Sequence, residues 1–454
     1  MLPEKFDKRM ADILGEEYSR FSVALEEPSV RGIRVNESKI SVESFLSSTD
    51  IPASKIEYTP DGFIPECADG IGSTPEHHAG MFYVQDPGAM ATVCALEIEK
   101  GWRVLDACSA PGGKSSQISS RIGDGGFLLA NEFVPKRAKI IVSNFERLGI
   151  KNAMVLSQNT AKFKEMFTNF FDLVLCDAPC SGEGMFRKYD EALTEWSEEN
   201  VKSSAERQRE ILSNLAPLVK KGGYLLYSTC TYSLEENEEN IADFLQNNKD
   251  YRLCPTSPAL LPYTADGIEV EGLSATEAAM CRRFYPHLAK GEGQFIALLQ
   301  RVEAGEPEIL YRDEAKPLTK GDEAIVKAFF KENMKKIPEG RLVMQADFAV
   351  LVPHGFPIPK YSVFMSGVVV GEIKKGRLEP HHQFFSTYGK DMNNIEVLSR
   401  GDTRVSAYLR GEEIEAKSSV SGYCAVLYEG CALGGGKVSQ GRIKNHYPKG
   451  LRNK

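Results

Sequence analysis

No stretch of the 454 residues approaches the apolar run that a bilayer span requires. The opening Met1-Leu2-Pro3-Glu4-Lys5-Phe6 lacks the apolar core of a secretion signal, so a cytoplasmic protein is expected. Cysteine is scarce: ten over this length cannot staple a disulfide scaffold, and no Cys-x-x-Cys pair offers a structural zinc site. The pairs His77-His78 and His381-His382 have no third ligand at a usable spacing, and no metal is expected. Positive charge is also short. A net charge of −8 argues against indiscriminate polyanion binding, so any nucleic acid must be contacted locally. One segment suits that role: Gly435 to Lys454 carries Lys437, Arg442, Lys444, Lys449, Arg452 and Lys454 without an acidic residue. Internal repeats and low-complexity tracts are absent, and nothing implies an obligate partner, so a monomer is expected.

What is present is an alternation of strand-like and helix-like segments, in a chain long enough for roughly two to four domains. Val104–Cys108, Phe127–Glu132, Met154–Leu156, Leu173–Cys176 and Tyr224–Tyr227 are short apolar runs. Between Pro135 and Gly149, residues Ala138, Ile141, Val142, Phe145 and Leu148 recur at helical spacing, with proline suited to the first turn and glycine to the exit. Strands that are apolar without alternation predict a mostly parallel, doubly wound α/β sheet covered on both faces. Ligands of such sheets bind beyond the carboxyl ends of the strands. The glycine loop after Asp106, Glu132, Asn159, Asp177, Cys180 and Cys230 all fall at such ends. Gln294–Leu299 reads as a last core strand and Val302–Asp322 as a linker; Glu323–Met334 is helix-like, and short β-branched runs follow. The acidic run Glu235–Glu239 reads as the first turns of a solvated helix, with carboxylates at the positive end of the dipole.

The loop Cys108-Ser109-Ala110-Pro111-Gly112-Gly113-Lys114 joins a strand to a helix, where glycine lets backbone approach a ligand. A phosphate-binding P-loop needs glycine where Cys108 stands, and the three glycines of a dinucleotide fingerprint are missing. A looser loop suits a ligand without a pyrophosphate, such as S-adenosylmethionine. Glu132, about twenty residues on, is placed to accept both ribose hydroxyls, and Asn159 to meet an adenine edge.

Two thiols, Cys180 and Cys230, lie past strand ends downstream of this loop. Thiolate is the attacking form of cysteine. Methylating an unactivated pyrimidine carbon needs such an attack at carbon 6, which makes carbon 5 electron-rich; Asp177 is placed to bond the ring near nitrogen 3. Residue types alone do not rank one thiol over the other as the attacker.

Asp106–Lys114, Asn131-Glu132, Asp177-Ala178-Pro179-Cys180-Ser181-Gly182-Glu183-Gly184 and Tyr227-Ser228-Thr229-Cys230-Thr231 resemble, in order, the motifs of the Sun-type RNA (cytosine-5) methyltransferases. Tyr83–Pro87, Arg283–His287 and Gly291–Phe295 match as well, and the bacterial RsmF (YebU) branch is the most similar. Gly435–Val438 and Lys444–Arg452 are similar to that branch's PUA-like RNA-binding domain. The resemblance implies a Rossmann-like class I core with an N-terminal α+β region and smaller C-terminal modules. It assigns Cys230 as nucleophile and Cys180 to proton removal or product release. Cofactor contacts would fall on Cys108–Lys114, Glu132, Asn159 and Asp177; the family usually has aspartate at the Asn159 position. The implied reaction is methylation of cytosine carbon 5 in 16S ribosomal RNA, free or in the 30S subunit. Arg187, Lys188, Lys437, Lys444, Lys449 and Arg452 are the candidate RNA contacts. The expected divisions are 1–73, an RNA-positioning region; 74–302, the catalytic core; 303–389, a linker and intermediate module; and 390–454, the PUA-like domain. Two other readings stand beside this one: an inert RNA-binding or ribosome-assembly factor on the same fold, and the same chemistry on another RNA such as tRNA. An exocyclic-amine methyltransferase is disfavoured, because Ala178-Pro179-Cys180-Ser181 is not its Asn/Asp-Pro-Pro-aromatic motif.

Overall fold

A computed structural model describes residues 2–360, 362–417 and 420–453; Lys454 of the basic terminus lies outside the described residues. Its centre is built from the apolar runs, each covered on both faces. Ala153–Leu156 and Phe127–Asn131 are buried throughout, and Phe171–Asp177 is buried up to its last residue. Such strands leave no polar face for alternation to mark. In sheet order Ala153–Leu156, Phe127–Asn131, Arg103–Asp106, Phe171–Asp177 and Val219–Thr229 run parallel. Gln294–Arg301 then joins antiparallel, and Arg282–Phe284 and Ala265–Asp266 extend that edge. The chain grows to one side of Arg103–Asp106 and returns on the other with Phe171–Asp177. The switch point therefore lies between these two strands, which is where a ligand crevice opens.

Helix Pro135–Leu148 covers one face as its spacing predicts. Proline opens it, Gly149 ends it at φ 70°, and Ala138, Ile141, Phe145 and Leu148 are buried. Each large apolar side chain so buried stabilises by about 1.5–3 kcal/mol. Helix Gly113–Ile122 starts directly after the glycine loop, where Gly112 takes φ 103°, a conformation that disfavours any side chain.

The N-terminal region has helices Glu4–Leu14 and Tyr18–Glu26 and a four-stranded antiparallel sheet. That sheet takes its last strand, Phe82–Gln85, from beyond residue 73, where the region was expected to end. Arg34, fully buried, seats the sheet on the core. Its Nε donates to Gln85 at 3.0 Å, and its Nη2 to Ser116 Oγ at 2.7 Å and the Gly113 carbonyl at 3.3 Å.

The intermediate module carries helix Lys320–Asn333 and a five-stranded sheet ending at Arg377–Pro380. The expected linker, Val302–Asp322, packs against its neighbours. Glu308–Ile309 pairs with Phe167–Thr168, and Tyr311 Oη donates to the Pro357 carbonyl at 2.9 Å. Val363–Met365 also adds itself antiparallel to Ala153–Leu156, the edge of the catalytic sheet. An uncovered edge exposes unpaired backbone donors and acceptors, and this strand removes that liability.

The C-terminal sheet orders Ile395–Leu398, Gly422–Tyr428, Cys431–Ser439, Arg442–Asn445 and Ile414–Glu415. His78 ties it to the N-terminal region, its ring nitrogens 2.7 Å from Tyr447 Oη and 2.9 Å from Asn453 Oδ1. Among the described residues no helix is long and apolar enough to cross a membrane.

Candidate active site

Strands Phe171–Asp177 and Val219–Thr229 lie side by side with Ser228 opposite Asp177, so the turns that leave them meet. Cys180 leaves one and Cys230 the other, and their half-buried Sγ atoms are 3.2 Å apart. The Cys180 thiol is pushed well above its ordinary range, first by its hydrogen bond with Cys230, then by burial and the Cys230 charge. It therefore keeps its proton at neutral pH. Asp177 is clamped: Oδ1 accepts from Ser228 Oγ at 2.6 Å, and Oδ2 pairs with Lys114 Nζ at 2.8 Å. Burial alone would lower the Lys114 pKa, but the charge and hydrogen bond of Asp177 outweigh it and leave the ammonium reinforced.

Two glutamates lace the cysteine-bearing turns together. Glu183, from the Cys180 turn, reaches the other and accepts from Thr231 Oγ1 at 2.8 Å and the Tyr232 amide at 2.9 Å. Glu236, from the Cys230 turn, reaches back to the Ser181 amide at 3.0 Å and to the Ser181 hydroxyl, and also takes Gln208 Nε2 at 2.7 Å. Arg9 of the first helix pairs with Glu183, so the N-terminal region touches this brace. The solvated-helix reading of Glu235–Glu239 is thus corrected. Glu236, Asn237 and Glu238 are fully buried, and Glu238 pairs with the buried Arg283. Buried carboxylates persist because donors from distant segments satisfy them. Sequence reasoning missed both braces, and only the Ser181-Gly182-Glu183 motif itself carried a signal.

A cavity of about 640 Å³ opens at the switch point, within the range of ordinary ligand pockets. Cys108, Ala110, Glu132, Asn159, Asp177, Cys180 and Cys230 line it, so the strand-end candidates do converge. Ser109, Pro111, Gly112, Gly113 and Lys114 do not line it. Ser109 bonds Ser115, and Lys114 is committed to Asp177. Buried Glu132 turns one oxygen to the Val134 amide at 2.9 Å and the other to Arg137 at 3.3 Å. Asn159 first caps its own turn, its Oδ1 accepting from the Ala161 amide at 2.9 Å. Phe133 and Ile211 supply apolar wall that sequence reasoning overlooked; Phe133 is 66% exposed directly after the strand-end Glu132. Among the described residues no cluster of three or more metal-ligating side chains occurs.

Arg187 departs from its expected RNA role. Its guanidinium is buried against Glu292 at 2.9 Å and the carbonyls of Ala24 and Gly291. Lys188 remains half-buried beside Tyr189, 5.7 Å from the ring centre. Lys437, Lys444 and Lys449 are exposed, whereas Arg452 is half-buried and donates to the Tyr447 carbonyl. A Glu-Asn-Val tripeptide, which in DNA cytosine-5 enzymes accompanies attack by the Pro-Cys thiol, occurs at Glu199–Val201. It sits in the first turn of helix Glu198–Leu215 with Glu199 exposed, and none of its residues lines the cavity.

A mostly parallel sheet with a ligand crevice at its switch point is the Rossmann-like architecture shared by class I methyltransferases. The comparisons give the family. Residues 93–300 match the family described as 16S rRNA methyltransferase RsmB/F, 2–87 the N-terminal domain of 16S rRNA methyltransferase RsmF, and 396–453 the methyltransferase RsmF PUA domain. The chain is 30% identical to the ribosomal RNA small subunit methyltransferase F of Enterobacter sp. (strain 638), over 99% of this chain and 95% of that one. It is 30% identical to the protein of that name from Vibrio campbellii, over 99% and 97%. A methyltransferase homolog from Pyrococcus horikoshii is similar in structure, with 29% identity, a TM-score of 0.58, and 66% of this chain and 95% of that one covered. The chain belongs to the RsmF-type branch of the Sun family, and it is a methyltransferase.

Proposed function

We propose that this enzyme transfers a methyl group from S-adenosylmethionine to carbon 5 of cytosine in 16S ribosomal RNA, through a transient bond between Cys230 and carbon 6. The observation that carries the reading is the 3.2 Å thiol pair at the mouth of a cavity shared with Glu132 and Asp177. The names of the relatives, which specify small-subunit ribosomal RNA, support the substrate, and a ribosomal substrate fits a cytoplasmic setting.

The residues present fit the cofactor. Glu132 is a buried acceptor for ribose hydroxyls, the apolar faces of Phe133 and Ile211 suit an adenine ring, and Asn159 stands at the polar rim. When bound, S-adenosylmethionine supplies an electrophilic methyl group. The chain's own residues do the rest. The target base leaves its stack to enter the cavity. Cys230 gives up its thiol proton and adds its sulfur to carbon 6; nitrogen 3 takes up a proton as electrons move into the ring, and Asp177, held by Ser228 and Lys114, accepts a hydrogen bond from the N3–H so formed. Carbon 5 takes the methyl group and must then lose its proton as the bond from Cys230 to carbon 6 breaks. Cys180 suits this step. Once Cys230 is bonded to the base, Cys180 gives its own proton to solvent, and the thiolate so formed takes the proton from carbon 5 as the Cys230 sulfur leaves.

Nucleoside mass spectrometry of 16S RNA incubated with enzyme and S-adenosylmethionine tests the reading. New 5-methylcytidine is expected, and a methyl group appearing only on another atom or another base would refute it.

A further inference from the structure

A second cleft lies far along the chain from the thiols, between the last strand of the intermediate module and the C-terminal sheet. It encloses about 510 Å³, with Arg377 and Glu379 on one wall and Tyr423, Lys437, Lys444 and His446 on the other. Register explains the second wall. Tyr423 sits opposite Lys437, and Lys437 opposite Lys444, so an aromatic ring and two ammonium groups form one row across three adjacent strands. Like charges placed directly opposite on a sheet repel and destabilise it. Neither lysine has an ion-pair partner among the described residues, nor has Arg377 on the facing wall. The one carboxylate of the cleft, Glu379, is 3.7 Å from Lys374 outside it. An anion held between the lysines would relieve their repulsion.

The ring is as well prepared as the charges. Lys437 Nζ stands 5.5 Å from the Tyr423 ring centre, and the Tyr423 and His446 rings are 6.3 Å apart. Tyr423 Oη donates to the Leu378 carbonyl at 3.4 Å and thereby leans on the intermediate module. Burial and the neighbouring Lys444 hold the His446 pKa below its ordinary value, leaving a neutral aromatic face. Aromatic faces beside a track of cations are how proteins hold single-stranded nucleic acid.

We infer that this composite cleft binds an unpaired stretch of the RNA substrate, with phosphate between Lys437 and Lys444 and across from Arg377, and a base stacked on Tyr423. The inference rests on RNA being the substrate, and it adds that the intermediate module supplies half of the C-terminal RNA site.

Fluorescence anisotropy with a short fluorescein-labelled unstructured RNA, across a salt series on full-length protein, tests it. The double variant K437A/K444A should lower the slope of log affinity against log salt by about 0.7, because the phosphate contact the two lysines share on a single strand contributes about 0.7. R377A, an exposed change on the other module, should lower it by about 0.7. Y423L should weaken binding roughly tenfold with the slope intact, as expected for one lost stacking contact. Wild-type affinity and slope in R377A and in K437A/K444A, with melting temperatures unchanged, would overturn the inference. Equal competition by an acidic peptide or by duplex RNA would overturn it too, marking a general anion surface. Methyl transfer by the wild type is measured in parallel. Transfer with unaltered binding slopes removes the cleft and leaves the proposed reaction; altered slopes without any transfer do the reverse.

Discussion

Asp106 ends the central strand beneath the glycine loop, fully buried, accepting a hydrogen bond from Ser115. Burial pushes its carboxyl up to about 7, opposed by the Ser115 bond and helped by the charge of Asp177. An acid whose pKa rises on folding binds more protons folded than unfolded between its ordinary value and the raised one, so stability falls as pH rises through that window. Urea unfolding at pH 5 and pH 8 should show the wild type losing stability over this interval, and D106N losing less, by on the order of a few kcal/mol at most. Equal losses in both proteins would contradict the assignment. The thiols yield a second residue-scale expectation. C180S should still attack but release poorly, so incubation with RNA and S-adenosylmethionine should accumulate a protein–RNA adduct that resists denaturing electrophoresis. C230S should form none. These residues were legible because strand ends and a glycine loop can be read from local patterns. The order of the two thiols was not, since both stand at the same kind of position; it came from family resemblance.

At the scale of elements, the geometry of the thiol pair depends on two turns that are held by each other's glutamates. E236Q would place an amide donor against the Ser181 amide and hydroxyl and Gln208, all of which now donate to the carboxylate. Misplacement of a reacting group by about an ångström costs on the order of 100-fold in rate, so kcat should fall by about 10- to 100-fold with a smaller change in KM. Steady-state methyl transfer measures this, and an unchanged kcat would remove Glu236 from the positioning of the thiols. The brace was illegible because its partners are distant in sequence: Glu236 meets Ser181, and Glu238 meets Arg283. A run of acids with unseen partners looks the same as a solvated helix start. Helix Pro135–Leu148, whose signals all lie within itself, was read correctly.

For the whole molecule, the modules are joined by contacts rather than strung on linkers. Half-buried Lys39 of the N-terminal region donates to the carbonyls of Ala79 at 2.8 Å, Arg147 at 3.0 Å and Ala432 at 3.3 Å, touching the core and the C-terminal sheet at once. K39M would leave these carbonyls without that donor, at about 1–3 kcal/mol for each buried group left unsatisfied. The melting temperature should drop by several degrees, and the C-terminal sheet should become more sensitive to protease; no change in either would show that the modules hold together by other means. The alternating core predicted the doubly wound sheet, and the structure has it. The strand Val363–Met365 that completes this sheet from the intermediate module was missed, because edge pairing is non-local and leaves little mark in a short run.

The account as a whole turns on which sulfur bonds to the base. RNA carrying 5-fluorocytosine cannot give up a proton from carbon 5, so the adduct should persist and can be digested and mapped by mass spectrometry. The crosslinked peptide is predicted to carry the nucleotide on Cys230. A nucleotide mapped to Cys180, or no adduct from an enzyme that still methylates ordinary RNA, would contradict it.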